Sequence, residues 1–208
     1  MLKSHLLDKI PFVRYAFCDS TENNAVPSPM LLEQIHSVRV IDADTFEGTS
    51  LPKADAWVTT RKGKTVTVKT ADCAPVLLAD KHKPVISAVH AGWKGAMTGV
   101  IEQAIIQMMK KGATDIVAVI GPCIHVESYP VSEEMKKLSS SDMEKFFIPF
   151  NDGLHFNLPE YVKERLILSG VFEVEVMNTD TFSDMSYNSF RRDKEKSGRQ
   201  YSAIWLDF

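Results

Sequence analysis

The sequence lacks the features that mark membrane and nucleic-acid-binding proteins. No apolar run reaches the ~18 residues that a membrane-spanning helix needs. The first residues have no long apolar stretch and carry an early acid, Asp8, so we expect no signal peptide. The 24 Lys and Arg residues do not exceed the 27 Asp and Glu residues, and the net charge is −3. Since nucleic-acid binding requires a basic surface, we expect neither a nucleic-acid partner nor a membrane.

Cysteine is scarce, and several catalytic motifs are missing. Cys18, Cys73 and Cys123 are odd in number and none lies at Cys-x-x-Cys spacing, which argues against a disulfide framework and favours the cytoplasm. The chain has no Gly-x-x-x-x-Gly-Lys phosphate loop, no His-Glu-x-x-His, no Gly-x-Ser-x-Gly and no Gly-x-Gly-x-x-Gly. The zinc-deaminase pair of His-x-Glu and Pro-Cys-x-x-Cys is absent as well. The sequence therefore gives no sign of the enzyme classes that these particular motifs mark.

What remains is a chain of 208 residues, 44% hydrophobic, which is enough for one well-packed domain over residues 1–208. The polar segment 19–29 is predicted to be a surface loop. Predicted strands cover residues 38–41, 56–60, 65–69, 75–79, 85–89, 116–120, 172–177 and 202–206, and predicted helices cover 95–111 and 157–169. Several strands precede each helix. This order favours the α+β class, with mixed β-sheet layers covered by helices, over a βαβ repeat.

Three donor side chains stand at predicted strand ends. His36 precedes a strand, Cys73 lies between two strands, and His90 ends a strand. Each alone has an ordinary explanation as a buried thiol or a hydrogen-bonded imidazole. Together they make a His₂Cys set with a free fourth position, which is typical of catalytic zinc and also suits copper. Beside His90, Gly92 and Gly95 open a turn before a helix, where Lys94 could help to bind an anion such as phosphate.

These segments belong to a longer series of motifs. The series is Gln34-Ile35-His36, Ala54-Asp55-Ala56-Trp57-Val58-Thr59, Thr70-Ala71-Asp72-Cys73-Ala74-Pro75-Val76, His90-Ala91-Gly92-Trp93-Lys94-Gly95, Gly121-Pro122-Cys123-Ile124, Tyr129-Pro130-Val131, His155-Phe156-Asn157-Leu158, Ser189-Phe190-Arg191-Arg192 and Ser197-Gly198-Arg199. Over roughly residues 30–206 the chain resembles the YfiH-type laccase-domain family, also described as multicopper polyphenol oxidases or purine nucleoside phosphorylases. The segment 1–29 diverges, because Phe17 to Asn24 replace an Arg-containing, Gly-Gly-Val-Ser-like segment.

The resemblance implies a compact fold related to the deamidating CNF-type toxins. It also implies one metal ion, Zn²⁺ or possibly Cu²⁺, held by His36, Cys73 and His90. The implied activities are phosphorolysis of adenosine, inosine, guanosine or methylthioadenosine, and deamination of adenosine. Some relatives are assigned a role in editing peptidoglycan precursors instead.

Roles for individual residues follow as hypotheses. Cys73, His90 and Asp72 are predicted to be catalytic, with Asp72 either supplying a proton, as Asp55 also could, or orienting a histidine ligand. The predicted phosphate-binding residues are Lys94, Arg192 and Arg199.

Three further functions stay open. A multicopper oxidase acting on phenols needs about ten His and Cys ligands, whereas the chain has 6 His and 3 Cys. The same donor residues would also suit a metal-stabilised binding module, or a hydrolase with Cys73 as nucleophile and His90 as base. The oligomeric state is not predicted.

Overall fold

The computed structural model describes all residues from Met1 to Phe208. The strands are β1 (Val13–Phe17), β2 (Pro29–Met30), β3 (Val40–Asp42), β4 (Ala56–Thr59), β5 (Thr65–Thr70), β6 (Ala74–Asp80), β7 (Ile86–Ala91), β8 (Ile116–Ile120), β9 (Pro130–Val131), β10 (Phe147–Phe150), β11 (Gly153–Phe156), β12 (Glu173–Val176) and β13 (Gln200–Leu206). The α-helices are α1 (Trp93–Thr98), α2 (Val100–Lys110), α3 (Glu133–Lys137), α4 (Leu158–Leu168) and α5 (Phe190–Asp193). Short 3₁₀ turns join several of them.

A six-stranded sheet of order β12-β8-β6-β7-β4-β3 forms the centre. Its inner pairs are antiparallel, and the two edge pairs, β12–β8 and β3–β4, are parallel. Every residue of β6 and β7 is buried, because helices cover one face of this sheet and a second sheet covers the other. This double coverage explains why both strands are continuous apolar runs in the sequence.

The second sheet has the order β1-β13-β5-β2, and a small third sheet has the order β10-β11-β9. A cluster of 29 buried residues fills the space between the six-stranded sheet and the helices, chiefly α2 and α4. Another cluster of 19 residues lies between the two larger sheets. Along β6, Val76 and Leu78 belong to the first cluster and Leu77 and Ala79 to the second, as strand alternation requires. The predicted α+β class with mixed sheets covered by helices is confirmed.

The single helix predicted over 95–111 is wrong. It is divided into α1 and α2 at Gly99, whose φ of 106° lies in the left-handed region that ends an α-helix. Residues on both sides of the break are buried, so the apolar spacing continues through it and conceals it in the sequence. The helix predicted over 157–169 is confirmed as α4, with the Asn157 side chain accepting a hydrogen bond from the Glu160 N–H.

Other differences concern short elements. The strand predicted from residue 38 begins at Val40, and β1, β2, β9, β10, β11, α3 and α5 were not predicted. The segment 19–29 contains a 3₁₀ turn at Asn23–Ala25 and ends in β2. The divergent segment 1–29 contributes β1, which pairs with β13 along its whole length. No helix is long and apolar enough to span a bilayer.

Candidate metal centre

The three donor side chains meet at one end of the two larger sheets. His36 lies in the connection before β3, Cys73 lies between β5 and β6, and His90 lies near the end of β7. Their ligand atoms are all within 4.8 Å of one another. His90 is buried, Cys73 is half-buried and His36 is exposed, so the cluster opens towards solvent on the His36 side. The structure therefore brings together the set that the sequence predicted to bind a metal.

The fully buried carboxylate of Asp55 holds two of the three donors in place. Its Oδ1 lies 2.9 Å from His90 Nδ1 and accepts a hydrogen bond from the His36 N–H at 3.0 Å. Its Oδ2 accepts bonds from the Ser37 N–H at 2.6 Å and the Ser37 hydroxyl at 2.8 Å. Because Asp55 engages Nδ1 of His90, Nε2 is the nitrogen left for a metal, and this carboxylate–histidine pair fixes the ring orientation.

The electrostatics of the centre favour positive charge at His90. Burial disfavours the charged form of His90, but attraction to Cys73 and the hydrogen bond with Asp55 raise its pKa to about 9, so a metal at Nε2 would displace a proton from this ring. Burial also opposes ionisation of Asp55, yet the hydrogen bonds from His90 and Ser37 lower its pKa to about 2. Burial, reinforced by His90 and Lys94 and opposed by Asp55, lowers the pKa of His36.

Gly92 leaves the space in which the donors converge. Its φ of −70° suits any residue, so the backbone does not require glycine here. A Cβ at this position would instead lie 2.7 Å from His36 Nδ1 and 2.9 Å from Cys73 Sγ. The glycine of the His-Ala-Gly-Trp motif is thus explained by the donor cluster, and a His₂Cys set fits zinc or copper.

Two residues at the centre have left-handed backbone conformations without being glycine. They are His36, with φ 57°, and Asp72, with φ 86°. Such conformations cost about 1 kcal/mol or more and persist where the surroundings fix them. Asp55 fixes the first through the backbone N–H of residue 36, and the second is held by the hydrogen bonds of its own carboxylate. Two of the four non-glycine residues with positive φ thus lie at the donor cluster, and the other two are Ser28 and Lys194.

A cavity of about 630 Å³ adjoins the donors. Its wall includes aromatic and cationic side chains, which are Trp93, Tyr129, Phe190, Lys69, Arg191 and Arg199. Leu32, Leu51, Ile124 and Leu158 add apolar surface. A concave site of mixed aromatic, apolar and charged character is typical of small-molecule binding.

Two of the three predicted phosphate-binding residues lie outside this cavity. Arg192 donates hydrogen bonds to the carbonyl oxygens of Thr181, Phe182 and Tyr187, so its guanidinium is committed to the fold. Lys94 is exposed, with its Nζ 5.4 Å from the centre of the Trp93 ring. Arg199 does line the cavity.

Asp72 does not orient a histidine, since Asp55 has that position. Its Oδ1 accepts a hydrogen bond from the Thr181 hydroxyl at 2.9 Å, and its Oδ2 accepts one from the Arg191 N–H at 2.6 Å. These bonds tie the loop that carries Cys73 to α5 and to the segment of Thr181, and the catalytic role of Asp72 stays a prediction.

Lys69 and Arg191 were not predicted to be site residues, and the structure places both on the cavity wall. Alternation along β5 puts Lys69 opposite the buried Val66 and Val68, but it does not say what that face meets. Arg191 and Arg192 are adjacent, and only the folded single turn of α5 decides which of them faces the cavity. Asp55 was predicted only as a second candidate for the acid.

Comparisons with known proteins identify the family of this chain. Residues 12–207 match the family model described as multi-copper polyphenol oxidoreductase laccase. A purine nucleoside phosphorylase of Rickettsia prowazekii is 38% identical over 78% of this chain and 70% of its own length. The purine nucleoside phosphorylase YfiH of Shigella flexneri is 32% identical over 88% of this chain and 76% of its own length.

Solved structures show the same fold. A Neisseria meningitidis protein of the DUF152 family superposes with a TM-score of 0.80 at 29% identity, over 90% of this chain and 78% of that one. The hypothetical protein YfiH of Bacillus licheniformis gives a TM-score of 0.77 at 26% identity, over 86% and 74% of the two chains. The chain belongs to the laccase-like multi-copper polyphenol oxidoreductase family, which includes the YfiH proteins.

Proposed function

We propose that this protein is a metal-dependent purine nucleoside phosphorylase. The observation that carries the proposal is the location of a His₂Cys donor cluster in the wall of a cavity that also presents aromatic rings and cations. Rings can stack on a purine, and cations can hold phosphate. The names of the Rickettsia and Shigella relatives agree with this assignment.

The metal in this proposal is one Zn²⁺ ion held by His36, Cys73 and His90, with Cu²⁺ as the alternative that the same donors would accept. Bound there, the ion supplies Lewis acidity at the edge of the cavity. Asp55 keeps His90 and the turn of His36 oriented, and Gly92 leaves room for the donors to meet.

Phosphorolysis then has a simple balance of bonds. A phosphate oxygen bonds to C1′ of the nucleoside while the C1′–N9 bond breaks, and the purine leaves with the electron pair and takes up the proton that the hydrogen phosphate ion loses. The work of this chain is to place both substrates. Trp93, Tyr129 and Phe190 provide aromatic surface for the base, and the cavity cations bind the phosphate. Adenosine, inosine, guanosine and methylthioadenosine are the proposed substrates.

Deamination of adenosine is the second proposed activity of the same site. Water adds at C6 and ammonia leaves, which gives inosine. The cavity serves this reaction as well, because it binds the same purine nucleoside against the same metal donors.

A cysteine-dependent hydrolase is a second candidate function, and one specific observation favours it. Asp55, His90 and Cys73 form a series in which a carboxylate orients an imidazole beside a thiol, as in cysteine-dependent hydrolases. This hypothesis leaves the convergence of His36 on the same point unexplained. A peptidoglycan-precursor editing activity would be one form of it.

A multicopper polyphenol oxidase is disfavoured by the number of donors. The structure contains one group of three His, Cys, Asp or Glu side chains close enough to share a metal, and the remaining histidines lie outside it. One such group can hold one ion. A binding module without catalytic activity is the last candidate function, and product analysis separates it from the enzymes.

The test is product analysis of adenosine incubated with zinc-loaded protein, with and without phosphate. We expect adenine and ribose 1-phosphate only when phosphate is present, inosine in either case, and loss of both products in His36→Ala. One zinc per chain without turnover would contradict the proposal. Protection of Cys73 from iodoacetamide by zinc, with activity dependent on zinc, would reject the cysteine-dependent hydrolase, whereas full activity of metal-free protein would support it.

A further inference from the structure

Three cations on the cavity wall have no carboxylate partner. The guanidinium of Arg191 donates to the Pro130 carbonyl oxygen at 3.0 Å, and that of Arg199 donates to the carbonyl oxygens of Ser197 and Gly198. Lys69 forms no ion pair. All three thus keep their positive charge unneutralised beside the metal donors.

Neither acid of the same wall forms an ion pair with these cations. Glu33 lies 3.6 Å from Lys53, a residue outside the cavity wall. Asp72 accepts hydrogen bonds from the Thr181 hydroxyl and from the Arg191 backbone N–H. Three lysine and arginine side chains thus face two carboxylates on the wall, and an anion in the cavity would balance the excess positive charge, although the whole chain has a net charge of −3.

The cations are also held in place by the fold. Strand pairing brings two of the cations together. Tyr201 of β13 pairs with Lys69 of β5, and Gln200 pairs with Thr70. Arg199 directly precedes Gln200, so it lies close to Lys69 at the end of these two strands. The Asn23 amide donates to the Arg199 carbonyl and accepts from the Tyr201 N–H, both at 2.8 Å. The backbone positions of Lys69 and Arg199 are thereby fixed at the cavity wall.

Arg191 reaches the same wall from a different element, the short helix α5. Its backbone N–H is fixed by Asp72 at 2.6 Å, and its guanidinium lies 5.1 Å from the centre of the Tyr129 ring. A planar guanidinium packed on a ring retains free N–H groups at its edge, which suit phosphate oxygens.

We propose that Lys69, Arg191 and Arg199 form the anion subsite for the phosphate co-substrate, and that Asp72 is the positioning residue that holds Arg191 in it. The assignment rests on the proposed phosphorylase function, and it replaces Lys94 and Arg192 as phosphate-binding residues. Asp72 lies next to Cys73 in the chain, so it links the phosphate subsite to the metal ligand through one peptide bond.

The experiment titrates inorganic phosphate into zinc-loaded protein and measures heat. The variants are Lys69→Gln, Arg191→Gln and Asp72→Asn, and the matched control is Lys94→Gln, a lysine outside the cavity. We expect phosphate affinity to fall about tenfold or more in Lys69→Gln and Arg191→Gln, to recover partly in Arg191→Lys, and to stay unchanged in Lys94→Gln. In Asp72→Asn we expect weaker phosphate binding with one zinc per chain retained.

Zinc content and melting temperature are measured for each variant, and only variants that match the wild type in both are compared. Equal phosphate affinity in all variants would overturn the subsite. A loss in Lys94→Gln equal to that in Lys69→Gln would overturn it too. Binding of adenosine 5′-monophosphate without binding of free phosphate would reject the co-substrate assignment. Phosphate binding that depends on these cations, in a protein that releases no purine, would uphold the subsite and reject the phosphorylase function.

Discussion

At the scale of single residues, Gly92 offers a steric test of the proposed metal site. Alanine at this position needs no change in backbone angle, but its Cβ would collide with His36 and Cys73. We expect Gly92→Ala to lose bound zinc while its far-ultraviolet circular dichroism stays native. In the comparison variant Gly95→Ala, the nearest atom to the new Cβ would be the Ser37 carbonyl oxygen at 3.3 Å, so the loss of zinc should be smaller. Full zinc occupancy in Gly92→Ala would contradict the site geometry.

Asp55 and Asp44 provide a second residue-scale test, because both carboxylates are buried and hydrogen-bonded but only Asp55 contacts metal donors. We expect Asp55→Asn to weaken zinc binding about 10- to 100-fold, since removal of the partner of a ligating histidine has effects of that size. Asp44→Asn should leave zinc affinity unchanged. Competition with a chromophoric chelator measures both, and equal losses in the two variants would indicate a general effect on folding.

At the scale of elements, the break between α1 and α2 depends on one left-handed residue. Gly99→Ala should lower the free energy of unfolding by about 1–2 kcal/mol, because alanine is strained at a φ of 106°. Asparagine tolerates the left-handed region better, so Gly99→Asn should lose less. Urea unfolding of the two variants checks this order. A more stable Gly99→Ala would mean that the two helices can join.

The contact of Asp44 with the end of α2 predicts a pH dependence. Burial alone would raise the pKa of Asp44, but hydrogen bonds from Lys111, Thr59 and Thr60 outweigh it and lower the pKa to about 2. The resulting stabilisation, about 1–2 kcal/mol, is fully present above the unfolded pKa near 4 and is lost as the pH falls towards 2. Urea unfolding at about pH 5, 4 and 3 measures this, and the free energy of unfolding should fall less steeply with decreasing pH in Asp44→Asn than in the wild type. Identical slopes would refute the assignment.

The elements themselves were predictable to different degrees. The buried strands β6, β7 and β8 are marked by largely apolar runs, and α4 is marked by its capping residues. Strands such as β2 and β9, with two residues each, have no period long enough to detect. The donor triad was predicted from residue types at strand ends together with the family resemblance. Which of two adjacent arginines faces the cavity depends on tertiary packing, which no local pattern contains.

At the scale of the whole molecule, we propose that residues 1–208 form one domain, including the divergent segment. Deleting residues 1–29 would remove β1 and expose the edge of β13. It would also remove Leu7, Ile10, Val13 and Phe17 from the core between the two larger sheets. We therefore expect the truncated chain to aggregate, because unpaired apolar strand edges associate. A soluble truncated chain with native zinc content, measured after gel filtration, would place the segment outside the domain.

The gradient of exposure across the three donors has a consequence for metal exchange. His90 is enclosed by strands and Asp55, whereas His36 sits on an exposed, strained turn. The two sides of the centre therefore differ in access to solvent. An external chelator should reach a bound ion past His36, because the turn of residues 35–37 is itself held by three backbone hydrogen bonds to Asp55. The size of the chelator should then set the rate of metal withdrawal, and a bulky chelator should be slower than a small one.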